Sequence, residues 1–272
     1  MTQPNPATVA GNDDIGLSQV LLRPVRGGNA FEATVEQLAT AIHLGVFADG
    51  DRLPAERELA AAMHVSRATL REAIAALRQA GHVETRSGRG GGTIVTHGGL
   101  GDGAADELER RTAAREVVRR SEGSYRDALV VRRVIEPGAV FVAANQDLTI
   151  EQREWLRSAL ADVDTAATSA MHRQADSRLH LAIAKLSGSE RLLDLVTEVQ
   201  RSIHDMLSAI PVLDVNITHS DAEHRRIVAA ILDGEPAEAR QVMESHCDAT
   251  AALLRGLLAM PDSSPRRDGS LS

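Results

Sequence analysis

The chain has one cysteine, few aromatic residues and no long apolar run. With Cys247 alone among 272 residues, an internal disulfide framework is excluded. Aromatic residues make up 2% of the sequence, which argues against a core of aromatic and β-branched strands. No apolar segment approaches the roughly 18 residues of a membrane span. The first residues lack the basic and apolar regions of a signal peptide, so we expect a cytoplasmic protein without a membrane partner.

Alanine, leucine and valine supply most of an apolar fraction of 43%. These residues favour helix packing, so we expect a mainly α protein, and the length fits two modest domains better than one large one. Composition and punctuation predict a disordered tail over 1–28, a first domain over 29–97, a linker over 98–124, an all-helical domain over 125–260 and a disordered tail over 261–272. Apolar spacing in the all-helical domain predicts six helices, at about 125–145, 149–166, 171–187, 189–209, 218–233 and 235–259, which indicates a bundle.

Positive charge is concentrated in one short segment. The formal net charge of the chain is -8, yet residues 66–92 carry five arginines against two acidic residues. Most of the acidic excess lies in residues 98–272, which should repel nucleic acid. Any surface that attracts a nucleic acid must therefore be small and local.

The basic segment contains two helical patterns and a hairpin. "AERELAAAM" predicts a short helix, and Ser66 is a good N-cap for a second helix that Gly81 ends. The apolar stripe of the second helix consists of Leu70, Ala73, Ile74 and Leu77. After Gly81, "HVET" and "GTIVT" predict two strands joined by the basic tip "RSGRGG". A helix-turn-helix followed by a hairpin wing is typical of DNA-binding domains.

Arginines on this unit match the contacts that DNA offers. Arg67 and Arg71 lie on one exposed edge of the second helix, where guanidinium groups can donate to guanine O6 and N7 in the major groove. Phosphate or minor-groove contacts are expected from four further residues, which are Arg57, Thr69, Arg86 and Arg89. The alternative is that the arginines only solvate an exposed helix face.

The segment "DRLPAERELAAAMHVSRATLREAIAALRQAGHVETRSGRGGGTIV" resembles the winged helix-turn-helix of GntR-type bacterial transcription regulators. It has "LP-ERELA", "VSR-T-REA---L---G" and a "GRG" wing in the order and spacing of that family. The resemblance implies DNA contacts by Arg57, Arg67, Thr69, Arg71, Arg89 and Gly90. Family members often have Ser at the position of Ala55, so the helix that begins there lacks a side-chain cap.

Four side chains of the all-helical domain predict a metal site. Asp176 and His180 are four residues apart and share one helix face, beside apolar positions that face the interior. His224 and His246 lie next to inward-facing apolar residues on later helices. A buried carboxylate or imidazolium is costly without a partner, and a metal ion would be that partner. Any one of these histidines could instead be a hydrogen-bonded core residue.

The same domain, over about residues 125–257, resembles the ligand-binding FCD domain of the FadR-like GntR subfamily. Its metal-binding members carry an Asp and a His four apart, a His in "EH--I--AI--G" and another in "M--H". The matching positions here are Asp176, His180, His224 and His246. Leu179 replaces a frequent aromatic residue and "SGS" a frequent "SGN". The domain's other histidines, His172, His204 and His219, match none of these positions.

Ligand type indicates a divalent ion and a small effector. Three nitrogens and one oxygen suit Zn²⁺ best, and Ni²⁺, Mn²⁺ and Fe²⁺ stay open if further oxygen ligands join. Members of the family that bind long acyl-CoA chains tend to lack the metal set, which favours a small organic acid. Arg132 matches a position often used to hold such a carboxylate. It could equally form a salt bridge with Glu136, four residues further on.

We therefore predict a transcription regulator that binds palindromic operator DNA as a homodimer and responds to a small organic acid, with repression relieved by the effector. One alternative is a metal-sensing regulator, in which the ion itself is the signal and DNA binding depends reversibly on it. Another is a metal-dependent enzyme, because an open metal can activate water. Since neither an "HExxH" motif nor a Ser/His/Asp arrangement occurs, we do not expect an enzyme.

Overall fold

A computed structural model describes residues 21–22, 24–25, 30–87, 91–96, 104–210 and 214–258, and these residues are mainly helical, as predicted. The N-terminal elements are α1 Ala30–His43, α2 Glu56–Ala62, α3 Arg67–Gln79, β1 Val83–Arg86 and β2 Gly92–Val95. The C-terminal elements are α4 Ala104–Arg120, α5 Glu122–Ala144, α6 Ile150–Asp164, α7 Ser169–Leu186, α8 Glu190–Ser208, α9 Asp214–Asp233 and α10 Pro236–Leu258. Within this part of the chain, every helix is too short or too polar to cross a bilayer.

The second helix of the helix-turn-helix, α3, begins and ends where its sequence predicts. Ser66 Oγ accepts a hydrogen bond from the Thr69 N–H at 3.0 Å and caps the helix. Gly81, which follows the helix, has φ of 80°, a left-handed conformation that glycine adopts without a Cβ clash. The predicted stripe is buried against the rest of the domain and consists of Leu70, Ala73, Ile74 and Leu77.

The wing is a two-stranded antiparallel hairpin. Val83 of β1 lies opposite Val95 of β2, and Arg86 lies opposite Gly92. Val83 and Val95 are buried, which anchors the base of the hairpin on the helical core of the domain. The exposed Arg86 is therefore placed toward the far end of the wing.

The N-terminal domain extends further back along the chain than predicted. Leu22 is buried in the same core as α1 and α3, and the Val25 N–H donates a hydrogen bond to the Met63 carbonyl at 2.9 Å. Leu22 and Val25, which lie within the predicted tail over 1–28, therefore contact this domain. The apolar pair Leu21 and Leu22, which follows the polar first residues of the chain, supplies this packing.

The six predicted helices of the C-terminal domain are present as α5 to α10. Five of them, α5, α6, α7, α9 and α10, enclose the main core of the bundle. The segment predicted as a linker contains a charged helix, α4, and this helix packs on the bundle. Val118 of α4 is buried, and Arg115 Nε donates to the Ala209 carbonyl at 2.9 Å. The helical half of the predicted linker thus belongs to the C-terminal domain.

Candidate metal centre and nucleic-acid interface

Three histidines from three helices meet inside the bundle. His180 of α7, His224 of α9 and His246 of α10 each offer one ring nitrogen, and these atoms lie within 4.8 Å of one another. The ring centroids are 4.6 to 5.4 Å apart, and all three residues are buried. Because each histidine lies beside inward-facing apolar residues, packing of the helices brings the rings together. We call these three residues the histidine cluster.

The fourth predicted ligand, Asp176, lies at the edge of this cluster. It is one helical turn before His180, and its Oδ1 is 3.3 Å from His224 Nε2. Asp176 is not among the three side chains whose ligand atoms lie within 4.8 Å of each other. Asp176 therefore lies next to the cluster through its contact with His224. Its role as a metal ligand stays a prediction.

Burial makes the neutral ring the favoured form at His224 and His246. At His224, burial is the main cause of a pKa well below the usual value, and the charges of His246 and His180 lower the pKa further. At His246, burial again lowers the pKa, and the contact with Glu223 opposes it only in part. A neutral imidazole is the form that binds a metal ion, so neither ring has to lose a proton at neutral pH, and at His246 the Arg132 contact to Nε2 would have to open.

Two buried glutamates, which the sequence does not reveal as part of the site, lie beside the rings. Glu136 Oε2 lies 3.0 Å from His180 Nδ1, and Glu223 Oε2 lies 3.3 Å from His246 Nδ1. At His246, the hydrogen bond between Nδ1 and Glu223 directs Nε2 away from the carboxylate, as is common for metal-bound histidines, whereas Glu136 lies near His180 Nδ1 without a hydrogen bond to it. Glu223 directly precedes His224 in the "EH" motif, but Glu136 is on another helix from His180, and only the tertiary structure joins them.

Arg132 is buried beside the cluster and binds Glu136. Its Nε donates to Glu136 Oε2 at 3.0 Å, and its Nη2 lies 3.2 Å from His246 Nε2. Glu136 Oε1 also accepts a hydrogen bond from Gln200 Nε2 at 2.6 Å. Burial by itself would raise the pKa of Glu136, but the charge of Arg132 and the contact with His180 hold it well below its usual range. The salt bridge that the spacing allows is therefore present, and effector binding by Arg132 stays a prediction.

A cavity of about 340 Å³ adjoins the cluster. Arg132, Asp176 and His246 line its polar side, and Ile203 and Leu253 line its apolar side. Such a volume is in the range of small-molecule sites, in which a few polar groups orient a ligand against apolar walls. Two further lining residues, His172 and His219, match none of the metal-ligand positions of the FCD pattern.

The predicted DNA-binding residues differ in how strongly they are engaged within the N-terminal domain. Arg57 and Arg67 are exposed and form no hydrogen bond or ion pair within the described ranges. Arg71 Nε instead donates to Glu56 at 2.7 Å, and Thr69 Oγ1 lies 2.8 Å from the capping Ser66 Oγ. Arg86 Nε donates to Glu84 at 2.5 Å. Arg89 and Gly90 lie outside the described residues.

Among the predicted DNA-binding arginines that the structure describes, Arg57 and Arg67 therefore have the donors least engaged by neighbours. Thr69 and Arg71 would have to exchange a local contact for one with DNA, as would Arg86 in the wing.

Comparison with known proteins places both domains. The gntR family of bacterial regulatory proteins matches residues 31–92, and the FCD domain matches residues 127–249. A Mycobacterium gastri protein that is assigned as the HTH-type transcriptional regulator RmpR is 30% identical over 219 residues, which cover 79% of this chain and 76% of that protein.

Two further relatives extend the similarity over most of the chain. The HTH-type transcriptional regulator LutR of Bacillus subtilis is 26% identical over 78% of this chain and 95% of its own. The HTH-type transcriptional repressor NanR of Escherichia coli K12 is 27% identical over 85% of this chain and 86% of its own. All of these relatives are named as transcription regulators and none as an enzyme. Together with the two domain matches, they show that this chain is a transcription regulator of the GntR family with a C-terminal FCD domain.

Proposed function

We propose that the protein is a repressor that binds palindromic operator DNA as a homodimer and is controlled by a small organic acid bound at a divalent metal ion. The observation that carries this proposal is the histidine cluster of His180, His224 and His246, buried beside a cavity that Arg132 also lines. A cluster of this kind next to a cavity combines an ion site with room for a ligand.

The residues fit a metal ion well. His180 Nε2 and His224 Nδ1 are buried and form no hydrogen bond with the described residues. Buried polar atoms without a partner are rare in proteins, and a coordinated ion satisfies such nitrogen atoms. Asp176 would add an oxygen ligand to the three nitrogens, a set that suits Zn²⁺. When bound, the ion would supply an electrophilic centre that attracts a carboxylate.

A small carboxylate fits the cavity for electrostatic reasons. Arg132 Nη1 is buried and forms no hydrogen bond with the described residues. Its guanidinium is held by Glu136 from one side and lines the cavity. A ligand carboxylate would satisfy Nη1 through a charge-assisted hydrogen bond, while its carbon skeleton contacts the apolar wall.

DNA binding by a homodimer is supported by the arginines of the N-terminal domain, which we call the head, and by an exposed apolar face on α5. Arg67 offers a free guanidinium group at the start of α3, the part of a recognition helix that contacts base edges, and Arg57 offers another on α2. Two heads related by a two-fold axis would read a palindrome. Val130 and Val134 on α5 are 63% and 70% exposed, and a second copy of the chain would cover them. The relative NanR is named a repressor, which supports the proposed sign of regulation.

The test combines metal analysis, ligand screening and DNA binding. We expect the purified protein to contain a divalent metal and its melting temperature to rise with one of a set of small carboxylates. The same compound should release the DNA upstream of the gene that encodes the protein. Arg67→Ala should weaken specific DNA binding by about 1–3 kcal/mol. The matched control Arg240→Ala, an exposed arginine of α10 that pairs with Glu244, should leave DNA binding unchanged.

Unchanged DNA binding by the Arg67 variant would contradict the assignment of Arg67 to the major groove.

A second candidate function is metal sensing. It is favoured because the protein itself would supply three ligands of the ion, the histidines of the cluster. In that case Zn²⁺ alone would change DNA affinity reversibly, and no carboxylate would be required.

A further inference from the structure

The DNA-binding domain is docked on the C-terminal domain through the turn that follows α1. Leu44, the first residue of this turn, is fully buried. Its side chain belongs to an apolar cluster contributed by three helices of the bundle, whose other buried members are Ala139 of α5, Leu181 and Ala184 of α7, and Leu193 and Val196 of α8. An apolar residue of one domain thus completes a small core of the other.

Gly45 brings the backbone of the turn directly against α7. Arg178 Nη1 donates a hydrogen bond to the Gly45 carbonyl at 3.1 Å. A Cβ atom on Gly45 would lie 2.6 Å from Gln174 Cβ and 3.0 Å from Arg178 Nη1. The first of these distances is too short for real carbon atoms, and φ of 71° independently disfavours a side chain. Glycine is therefore the residue that allows the two domains to touch here.

Polar contacts surround this apolar docking point. His43 Nε2, at the end of α1, lies 3.1 Å from Asp205 Oδ1 of α8, and the Tyr125 hydroxyl donates to Asp205 Oδ2 at 3.0 Å. Arg201 Nη1 of α8 donates to Glu36 Oε1 of α1 at 3.1 Å. These contacts fix the direction of α1 relative to α8, whereas Leu44 supplies the apolar contact.

Helix α7 carries both the docking surface and part of the histidine cluster. Gln174 and Arg178 contact the turn, whereas Asp176 and His180 face the cluster. Residues two apart on a helix lie on nearly opposite faces. A helix moves as a rigid element, so a shift of α7 at Asp176 and His180 also displaces the surface on which the head is docked.

We propose that the turn formed by Leu44, Gly45 and Val46, docked on α7, is the connection through which the C-terminal site controls the position of the DNA-binding domain. This inference rests on the proposed function, because it assigns the route by which the metal and effector site regulates DNA binding. Gly45 keeps the connection closed because its lack of a side chain permits the close approach to Gln174.

The test compares two glycine variants of the full chain. Gly45→Ala places a methyl group against Gln174, whereas Gly50→Ala adds one at a position with φ of 84° and no neighbour within 4 Å. Both variants carry the backbone strain of a left-handed alanine, and only the first breaks the docking contact. Amide hydrogen exchange, with Zn²⁺ alone as the probe, reports on the turn at residues 43–47 and on α7 at the same time.

In the absence of added Zn²⁺, we expect amides of residues 43–47 to exchange at least about tenfold faster in Gly45→Ala than in Gly50→Ala. Equal exchange in the two variants would show that the contact does not hold the domains together, and would overturn the proposal whatever the metal does. On addition of Zn²⁺, we expect slower exchange in both α7 and residues 43–47 of the unmodified chain and of Gly50→Ala.

In Gly45→Ala, Zn²⁺ should slow exchange in α7 alone. Slower exchange in α7 but not in residues 43–47 of the unmodified chain would overturn the proposed connection while leaving the metal site intact. If Zn²⁺ slows exchange in neither region, the proposed metal site fails, and with it the control of the head by that site. The comparison of the two glycine variants then still decides whether Gly45 docks the head.

Discussion

Replacing Arg132 with methionine should destabilise the C-terminal domain by about 3 kcal/mol. Removing one member of a buried ion pair costs about 3–5 kcal/mol, because the remaining charge is left in the protein interior. Arg132 is 1% exposed and Glu136 2%, so solvent cannot replace the lost partner. Glu136 keeps the hydrogen bond from Gln200 and the contact with His180, which places the expected loss at the lower end of the range.

The charge itself is tested by a second change at the partner. Arg132→Met combined with Glu136→Gln removes both charges and should recover about 1–2 kcal/mol of the loss, because no unpaired charge remains. Urea unfolding of the full chain, with a chelator present, measures the free energy of unfolding of each variant. Arg240→Met, which removes an arginine of an exposed pair, serves as the control and should cause no measurable change.

Two results would refute this reasoning. A loss below about 1 kcal/mol for Arg132→Met would place the pair in a solvated environment. A double variant less stable than Arg132→Met would show that side-chain shape, and not the unpaired charge of Glu136, determines the cost.

Two further predictions concern pH and helix capping. The free energy of unfolding should fall as the pH drops below 6.5, because burial lowers the pKa of His224 and His246 and the unfolded chain then binds protons that the folded chain does not. The loss should reach up to about 1.4 kcal/mol per pH unit for each histidine. If the free energy of unfolding of His224→Asn fell between pH 7.5 and 6 as steeply as that of the unmodified chain, the contribution assigned to His224 would be contradicted. Ala55→Ser should stabilise the N-terminal domain by about 0.5–1 kcal/mol, since Ala55, the N-cap residue of α2, provides no side-chain cap. An unchanged or lower melting temperature would show that the serine does not cap.

Local signals account for most of the fold that the sequence predicts. Ser66 and Gly81 define α3 because capping and left-handed backbone are properties of single residues. Apolar spacing likewise predicts the six bundle helices. The sequence does not indicate that α4 packs on the bundle, because this helix is strongly charged and only buried positions such as Val118 connect it to the bundle. Leu22 lies in a short apolar stretch, Val20 to Leu22, that the polar composition of the first 14 residues obscures.

The candidate site is also predictable only in part. The inward position of His180, His224 and His246 is predictable, because each lies beside inward-facing apolar residues on its own helix. Glu136 reaches His180 from another helix, and no spacing in the sequence indicates that contact. Gly45 illustrates the limit most clearly, because a glycine after a helix is common for local reasons, and its close approach to α7 is a property of the assembled domains.

The most direct test of the central claim is the number of Zn²⁺ ions bound by the full chain and by histidine variants, measured by titration calorimetry and metal analysis. We predict about one ion per chain and loss of tight binding in His180→Ala, His224→Ala and His246→Ala. His82→Ala is the control, because this histidine is exposed in the N-terminal domain and lines neither the cluster nor the cavity. Unchanged Zn²⁺ binding by the His224 variant, or its loss in the His82 variant, would contradict a metal centre at the histidine cluster.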